Sequence, residues 1–528
     1  MKTNLLNISI LVLLTAVSLC GCSNDDEAVA TTTDGTTLTV TVRTDGFAPT
    51  DGTAQTDTPQ TRASESGYAT TFVKGDRIGV FAVKDGNVIA DCRNVPLTYD
   101  GTAWEGTIYK YTDATYFAYY PYTESMNDKT SVAEIVAAFS NAVATATDQS
   151  TYAGYTACDL MTATAESPIS GSSLSFSFTH RMSLIEISLP VQKYKTSSGA
   201  DAYEYSAPVL GATFSLTPGS GSGAATIQPY PMGNGIYRYI VPAGTSGATL
   251  SGAFNTADGK TIEYTKSSLS LSAGNYKRLD VTYDGAPTTP TERALAVGDY
   301  YYSDGGIVPN DTETPPTEGC IGIVCLVGAD AFNEDPLLKN DHPGCTHGLV
   351  VALQDAGSMH WSDNTEYVQD WVKAEGNPYK DVVNLQAEGK RCGYSNTLAL
   401  KDYNAGKYSS NVNSNNGYRV LPIDAIEQYA VENPAPANSS GWYFPSIMEL
   451  KYVCWGQGNG GGINGRNNLS TYINKVGGII FVYDYYWSST EYSGGSYNAW
   501  SVYFGNGGVY YYGYKSDGTF RVRPLLAF

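Results

Sequence analysis

In LSFSFTHRMSLIEISL, Leu174 to Leu189, apolar residues recur at alternate positions. Leu174, Phe176 and Phe178 project from one side of an extended chain, and Ser175 and Ser177 from the other. That period of two is the mark of a half-buried strand. Similar segments flank it. FVKGDRIGVFAV (Phe72–Val83) reads as strand, Gly-Asp turn, strand, and TYFAYYPY (Thr115–Tyr122) as a strand closed by Pro121. GIYRYIVP, TIEYTKSSLSLSAG and YKRLDVTYD follow, with a Gly/Ser turn region at Gly219–Gly223. Short strands at regular spacing with few helix patterns predict β-sandwiches. One helix-like stretch, Ser131–Ala144, is expected as a crossover.

Towards the N-terminus, residues 28–66 are mostly Thr, Asp, Gly, Ala and Pro, with one ordered island. In TLTVTVRT (Thr37–Thr44), Leu38, Val40 and Val42 alternate with threonines, so this strand needs a partner sheet. The polar stretch Ala54–Ser66 that follows holds one basic residue, Arg62, which a protease would find accessible.

Composition narrows the class. The chain has 528 residues, 42 of them Tyr and 55 Gly, with only 16% charged. This suits β-rich extracellular modules. A net charge of -20 repels phosphate backbones, so no nucleic-acid partner is expected. Lys2, the apolar run Leu5–Leu14 and the small residues after it form a signal peptide, too short for a permanent span. Leu19-Cys20-Gly21-Cys22 resembles a bacterial lipobox, which implies cleavage before Cys22 and a lipid on its sulfur. The acidic SNDDE after it resembles a Bacteroidetes surface-export signal. Seven further cysteines (92, 158, 320, 325, 345, 392 and 454) form no dense framework; buried free thiols are expected, with at most one or two bridges in the last third.

FVKGDRIGVFAV, YFAYYPY, DLMTA (Asp159–Ala163), FTHRMSLIEISL and LSAGNYKRLDVTYDG occur in the order of the motifs of the Bacteroidetes fimbrillin family, over roughly residues 30–285. The resemblance implies two transthyretin-like β-sandwich domains. It also implies export as a lipoprotein and a cut after an arginine that releases the first strand. The terminal strand of the next subunit then fills the groove. Carried onto this chain, the released strand is Leu38, Val40 and Val42, and the cut is Arg62-Ala63. The alternative is that the strand stays in its sheet, as in anchor subunits of that family.

After the Pro/Thr-rich YDGAPTTPTER (Tyr283–Arg293) the composition shifts. Only Trp104 precedes it; Trp361, Trp371, Trp442, Trp455, Trp487 and Trp500 follow. NTEYVQDWV, PIDAIEQYA with Pro422 in the first turn, and SIMELKYVCW with Ser446 and Glu449 at capping-box spacing predict two or three helices. GWYFPSIMEL, YYWSSTEY, AWSVYFGNG and YKSDGTFRVRPLLAF resemble a C-terminal module of Bacteroidetes surface proteins. That module is related to the C-type-lectin-like and formylglycine-generating-enzyme folds, and such modules usually bind glycans or proteins. The expected fold class is therefore mainly β: two sandwiches, then an α+β C-type-lectin-like domain. The expected divisions are 1–21 signal, 22–62 propeptide, 63–195 and 196–285 sandwiches, 286–294 linker and 295–528 C-terminal domain.

YYWSSTEYSGGSYNAW (Tyr485–Trp500) has two readings. Trp487, Trp500 and Phe520 suit a core. Tyr492, Tyr497, Asn498, Tyr503, Asn506, Tyr511 and Tyr514, interspersed with glycines that leave rings unshielded, suit an outward ligand face. Glu491 and Asp517, with the asparagines, suit hydrogen bonds to ligand hydroxyls. Enzyme motifs are weak. His342, Cys345 and His347 lack a second ligand pair, Cys454 lacks the partner of a formylglycine-generating copper site, and Gly458–Gly465 lacks the lysine of a phosphate loop. No enzyme activity, cofactor or metal is expected. Two functions remain open. One is a surface-exposed fimbrium tip subunit, lipid-anchored to the outer membrane before maturation, joined to a stalk subunit by strand insertion and binding a glycan or protein on host or neighbouring cells. The other is a surface lipoprotein that binds glycan outside any pilus.

Overall fold

The computed structural model describes residues 33–50, 65–66 and 68–528, apart from 166–168, 170, 198–201, 222, 257–258, 329–333, 364–365, 411–418, 437 and 459. Cys22, Arg62 and Ala63 lie outside the described residues. The chain is β-rich, with several sheets and a C-terminal region mixing helices and strands.

The run Leu174–Leu189 is two strands in two sheets. Ser173–His180 belongs to the first sheet, whose order is Thr39–Thr44, Ser173–His180, Met161–Thr164, Thr115–Tyr120, Arg77–Lys84, Val95–Tyr99, Trp104–Glu105. Its alternation is that of a half-buried strand: Leu174, Phe176 and Phe178 pack with Ile78, Val80, Leu97 and Tyr116 on one face. Ser183–Ser188 instead lies in the middle of a second, five-stranded sheet, between Ile236–Val241 and Asn275–Asp280. Both its faces are covered, so the alternation fails there and Leu184, Ile185, Glu186 and Ile187 are all buried. The change of sheet therefore falls at Arg181-Met182.

The two sheets share a layer. Phe81, Phe117 and Tyr119 of the first meet Leu184, Ile240 and Tyr276 of the second across the helix Val132–Thr145. Ser131 caps that helix by accepting from the Glu134 amide, which confirms the expected helical stretch. The far face of the second sheet (Ile185, Ile187, Tyr237, Tyr239) packs with Phe214, Leu250 and Phe254 of a four-stranded sheet.

Residues 286–294, expected as a linker, include a short strand. Thr291–Glu292 pairs with Lys193–Lys195 in a three-stranded sheet. Arg293 forks onto Asp299 at 2.9 and 2.7 Å and donates to Tyr205 Oη at 3.0 Å, and Tyr203 stacks on His347 with ring centroids 3.6 Å apart. The C-terminal region is thus fastened to the second sheet's surroundings by packing.

That region holds two five-stranded sheets. One is ordered Ile307–Val308, Tyr300–Tyr302, Cys320–Val327, Gly348–Ala352, Leu525–Ala527; the other Gly357–Met359, Phe520–Val522, Tyr485–Glu491, Asn498–Tyr503, Gly508–Tyr514. Six helices accompany them among the described residues, more than the two or three expected. The three predicted segments are helical as Val368–Val372, Leu421–Glu432 and Ile447–Trp455, and Ser446 with Glu449 forms the capping box. Pro336–Asp341, Gly393–Ser410 and Asn464–Lys475 are not expected from the sequence. None of the seven described cysteines is in a disulfide, and all but Cys320 are buried.

Candidate functional site

The first candidate is the seat of the N-terminal strand. Thr39–Thr44 runs parallel to Ser173–His180, with Val40 opposite Leu174 and Val42 opposite Phe176. Leu38 and Val40 are buried in the first sheet's core, Val42 packs against it, and Thr39 and Thr41 face out. Each fully buried aliphatic side chain stabilises by roughly 1.5–3 kcal/mol. The strand ends the sheet rather than lying at its centre. Its outer side is partly occupied: the Leu38 amide donates to the Ile108 carbonyl at 2.8 Å, and Thr33–Thr37 pairs with Tyr109–Tyr111. Beyond Thr44 the chain crosses to the second sheet, where Ala48–Pro49 pairs with Asn275 and Tyr276.

The second candidate is the tyrosine-rich sheet. The seven foreseen residues do not form one face. Tyr485 lies opposite Tyr503 and packs with it and with Tyr510, and it also stacks on Phe520 at 4.8 Å. Tyr511, the next residue after Tyr510, points to the other face. There it stacks on Tyr492 at 4.2 Å, with Trp500 edge-on to both. Tyr497 and Tyr514 sit at one end with ring centroids 5.6 Å apart, and are 49% and 51% exposed. Asn506 is exposed in a turn and caps the Gly508 amide at 2.8 Å; Asn498 is buried. Trp487 is fully buried, as a core residue should be, whereas Trp500 and Phe520 are half-buried.

Three of the glycines lie close against aromatic rings. A Cβ on Gly494 would lie 2.6 Å from the Tyr492 ring, on Gly508 2.5 Å from Tyr510, and on Gly513 2.6 Å from Trp487. A side chain at any of these glycines would therefore collide with the neighbouring ring. Glu491 is also not a ligand group. Fully buried, it accepts from the Val368 and Gln369 amides at 2.9 and 2.8 Å and pairs with Lys515 Nζ at 2.5 Å. Lys515 lies 4.9 Å from the Trp361 ring centroid, and burial lowers its pKa. Sequence reasoning missed this pair, because nothing in the spacing of Glu491 and Lys515 distinguishes it from two surface charges.

His342, Cys345 and His347 do not converge on a metal. His342 Nε2 lies 3.0 Å from Tyr394 Oη, Cys345 Sγ donates to the Asn438 carbonyl at 3.6 Å, and His347 stacks on Tyr203. Among the described residues no group of three or more His, Cys, Asp or Glu is placed to hold a metal ion.

The fold thus has two sheets joined by a helical layer, an N-terminal strand at a sheet edge and a docked C-terminal region of helices and strands. The chain belongs to the fimbrillin-like family. The family model, described as fimbrillin-like, matches residues 61–297. A Bacteroides ovatus protein described as "Putative fimbrium tip subunit Fim1C" is 30% identical over 92% of each chain. The crystal structure of a fimbrial protein from Bacteroides ovatus is 26% identical, covers 93% of this chain and 99% of its own, and has a TM-score of 0.50.

Proposed function

We propose that this chain is a structural and adhesive subunit of the fimbrium tip, displayed at the cell surface. In this reading its two N-terminal modules are transthyretin-like β-sandwiches and residues 295–528 form a C-type-lectin-like domain. Export proceeds through lipidation of Cys22 to the outer membrane. A cut at Arg62-Ala63 frees the strand bearing Leu38, Val40 and Val42, and the terminal strand of a stalk subunit takes its place. Removing the strand leaves apolar surface and unpaired backbone groups along Ser173–His180, both of which a donated strand restores.

One observation carries the tip assignment: the last strand is already used. Leu525–Ala527 pairs with Gly348–Ala352, the Phe528 amide donates to the Gly348 carbonyl at 3.1 Å, and Val522–Phe528 are all buried. A strand committed to its own sheet is not available to a neighbour, so in this reading the chain accepts a strand and Leu525–Ala527 is not donated. The exposed rings of Tyr497 and Tyr514 offer stacking surface for a glycan or protein. N-terminal sequencing of the assembled form tests the processing step. A mature start at Ala63 is expected; retention of Thr37–Thr44 in filaments contradicts it.

A further inference from the structure

The first strand does not end its work at Thr44. Gly46 passes beneath the backbone of Tyr68, and a Cβ there would lie 2.9 Å from both the Tyr68 carbonyl carbon and Ala69 Cα, and closer still to the Tyr68 oxygen. The Phe47 amide donates to that oxygen at 2.9 Å, and Thr44 Oγ1 donates to the Thr70 carbonyl. Tyr68 is itself fixed to the second sheet. Its ring stacks on Tyr276 at 3.6 Å, its hydroxyl donates to Glu186 at 2.7 Å, and Arg238 lies over it at 4.8 Å. The next ring, Phe47, is buried and stacks on His180 at 3.8 Å. The Ala48 amide then donates to the Gly274 carbonyl at 2.8 Å, and the Thr50 amide to Tyr276 at 3.1 Å. Tyr68–Thr70 therefore forms a strap across the N-terminal segment, and the strap lies on the C-terminal side of Arg62-Ala63.

Resting on the strand-replacement reading, we infer that the seat has two parts and selects its donor by both. The donor is an extended segment of a partner subunit that runs parallel to Ser173–His180. It places three apolar residues at alternate positions, as Leu38, Val40 and Val42 do. Four residues after the last of these it has glycine, to pass under the Tyr68 strap, and next an aromatic ring to stack on His180. A strand that satisfies only the first part fills the first sheet but leaves the second sheet's edge and the face of His180 uncovered. A side chain at the glycine position collides with backbone that Tyr68 holds in place, so it cannot be absorbed by a rotamer change.

The test uses the full chain with a sequence-specific protease site placed within residues 51–62. After cleavage, fluorescent synthetic peptides of residues 33–50 are added in sub-denaturing urea and their uptake is followed by anisotropy and gel filtration. The native peptide is expected to exchange in. Uptake of the Gly46→Val and Phe47→Ala peptides is expected to fall at least about tenfold, a difference of ~1.4 kcal/mol, and Leu38→Asp should not enter. If the native, Gly46→Val and Phe47→Ala peptides enter alike while Leu38→Asp fails, the second part of the seat is refuted and strand replacement stands. If no peptide enters, the segment is a permanent strand, and both readings fall.

Discussion

Glu449 lies within the capping box of Ile447–Trp455, accepting from the Ser446 amide at 2.7 Å, the Gly393 amide at 3.1 Å and Tyr443 Oη at 3.0 Å. Burial, helped by the nearby Asp335 carboxylate, pushes its pKa up to about 7 despite those donors. The folded state then holds a proton that the unfolded state releases near the ordinary glutamate value of 4.5. Stability is therefore favoured below the unfolded pKa and declines as pH rises from about 4.5 to 7, by at most about 3 kcal/mol. Urea titrations across that range should show this decline in the parent and a flatter profile in Glu449→Gln; parallel profiles contradict it. The Glu491–Lys515 pair makes a second test. Glu491→Gln leaves a buried ammonium unpaired and should cost about 3–5 kcal/mol. Adding Lys515→Met should recover at least half of that, as judged by denaturation midpoints. An equal loss in single and double variants would mean that the ion pair is not what matters there. Residue roles of this kind were legible only where a local spacing rule existed. Ser446 and Glu449 announced their cap, while Glu491 looked like surface because its partner, Lys515, is remote in sequence.

At the scale of elements, Leu174–Leu189 shows what a pattern can and cannot tell. The alternation through Phe178 was legible because one face of that strand stays outside the core. Leu-Ile-Glu-Ile departs from alternation because Ser183–Ser188 is covered on both faces. Glu186 survives there by pairing with Arg238 at 2.9 Å and accepting from Tyr68. The missed helix Gly393–Ser410 has a different cause: polar residues occupy part of its inward face. Asn396 donates to Ser489 Oγ at 3.0 Å, and Asn404 accepts from the Val420 amide at 2.8 Å, so no apolar stripe appears in the sequence. The aromatic sheet yields a prediction at this scale. Tyr497→Ala with Tyr514→Ala removes exposed rings and should change stability by less than about 0.5 kcal/mol. Tyr511→Ala breaks a stacked pair and should cost roughly 0.5–1.5 kcal/mol. If the exposed pair carries ligand contact, the first variant also loses about tenfold, ~1.4 kcal/mol, in affinity for whatever a glycan array of the full chain identifies. Unchanged binding in that variant moves the ligand surface elsewhere.

For the whole molecule, the docked linker and the committed last strand belong together. The Arg293–Asp299 fork and the Tyr203–His347 stack hold the C-terminal region against the second sheet's surroundings. The resemblance carried by the sequence motifs foresaw the family and the β-rich plan. It did not reveal where the sheets divide or that Thr291–Glu292 would be a strand, since both depend on pairings between residues far apart in the chain. The central claim is that this chain accepts a donor strand and offers none, which confines it to a filament end. Immunogold labelling of sheared fimbriae with antibody against residues 295–528 tests it most directly. Label at one end of each filament is the predicted result; label along the filament length, or on the cell surface and on no filament, would contradict it.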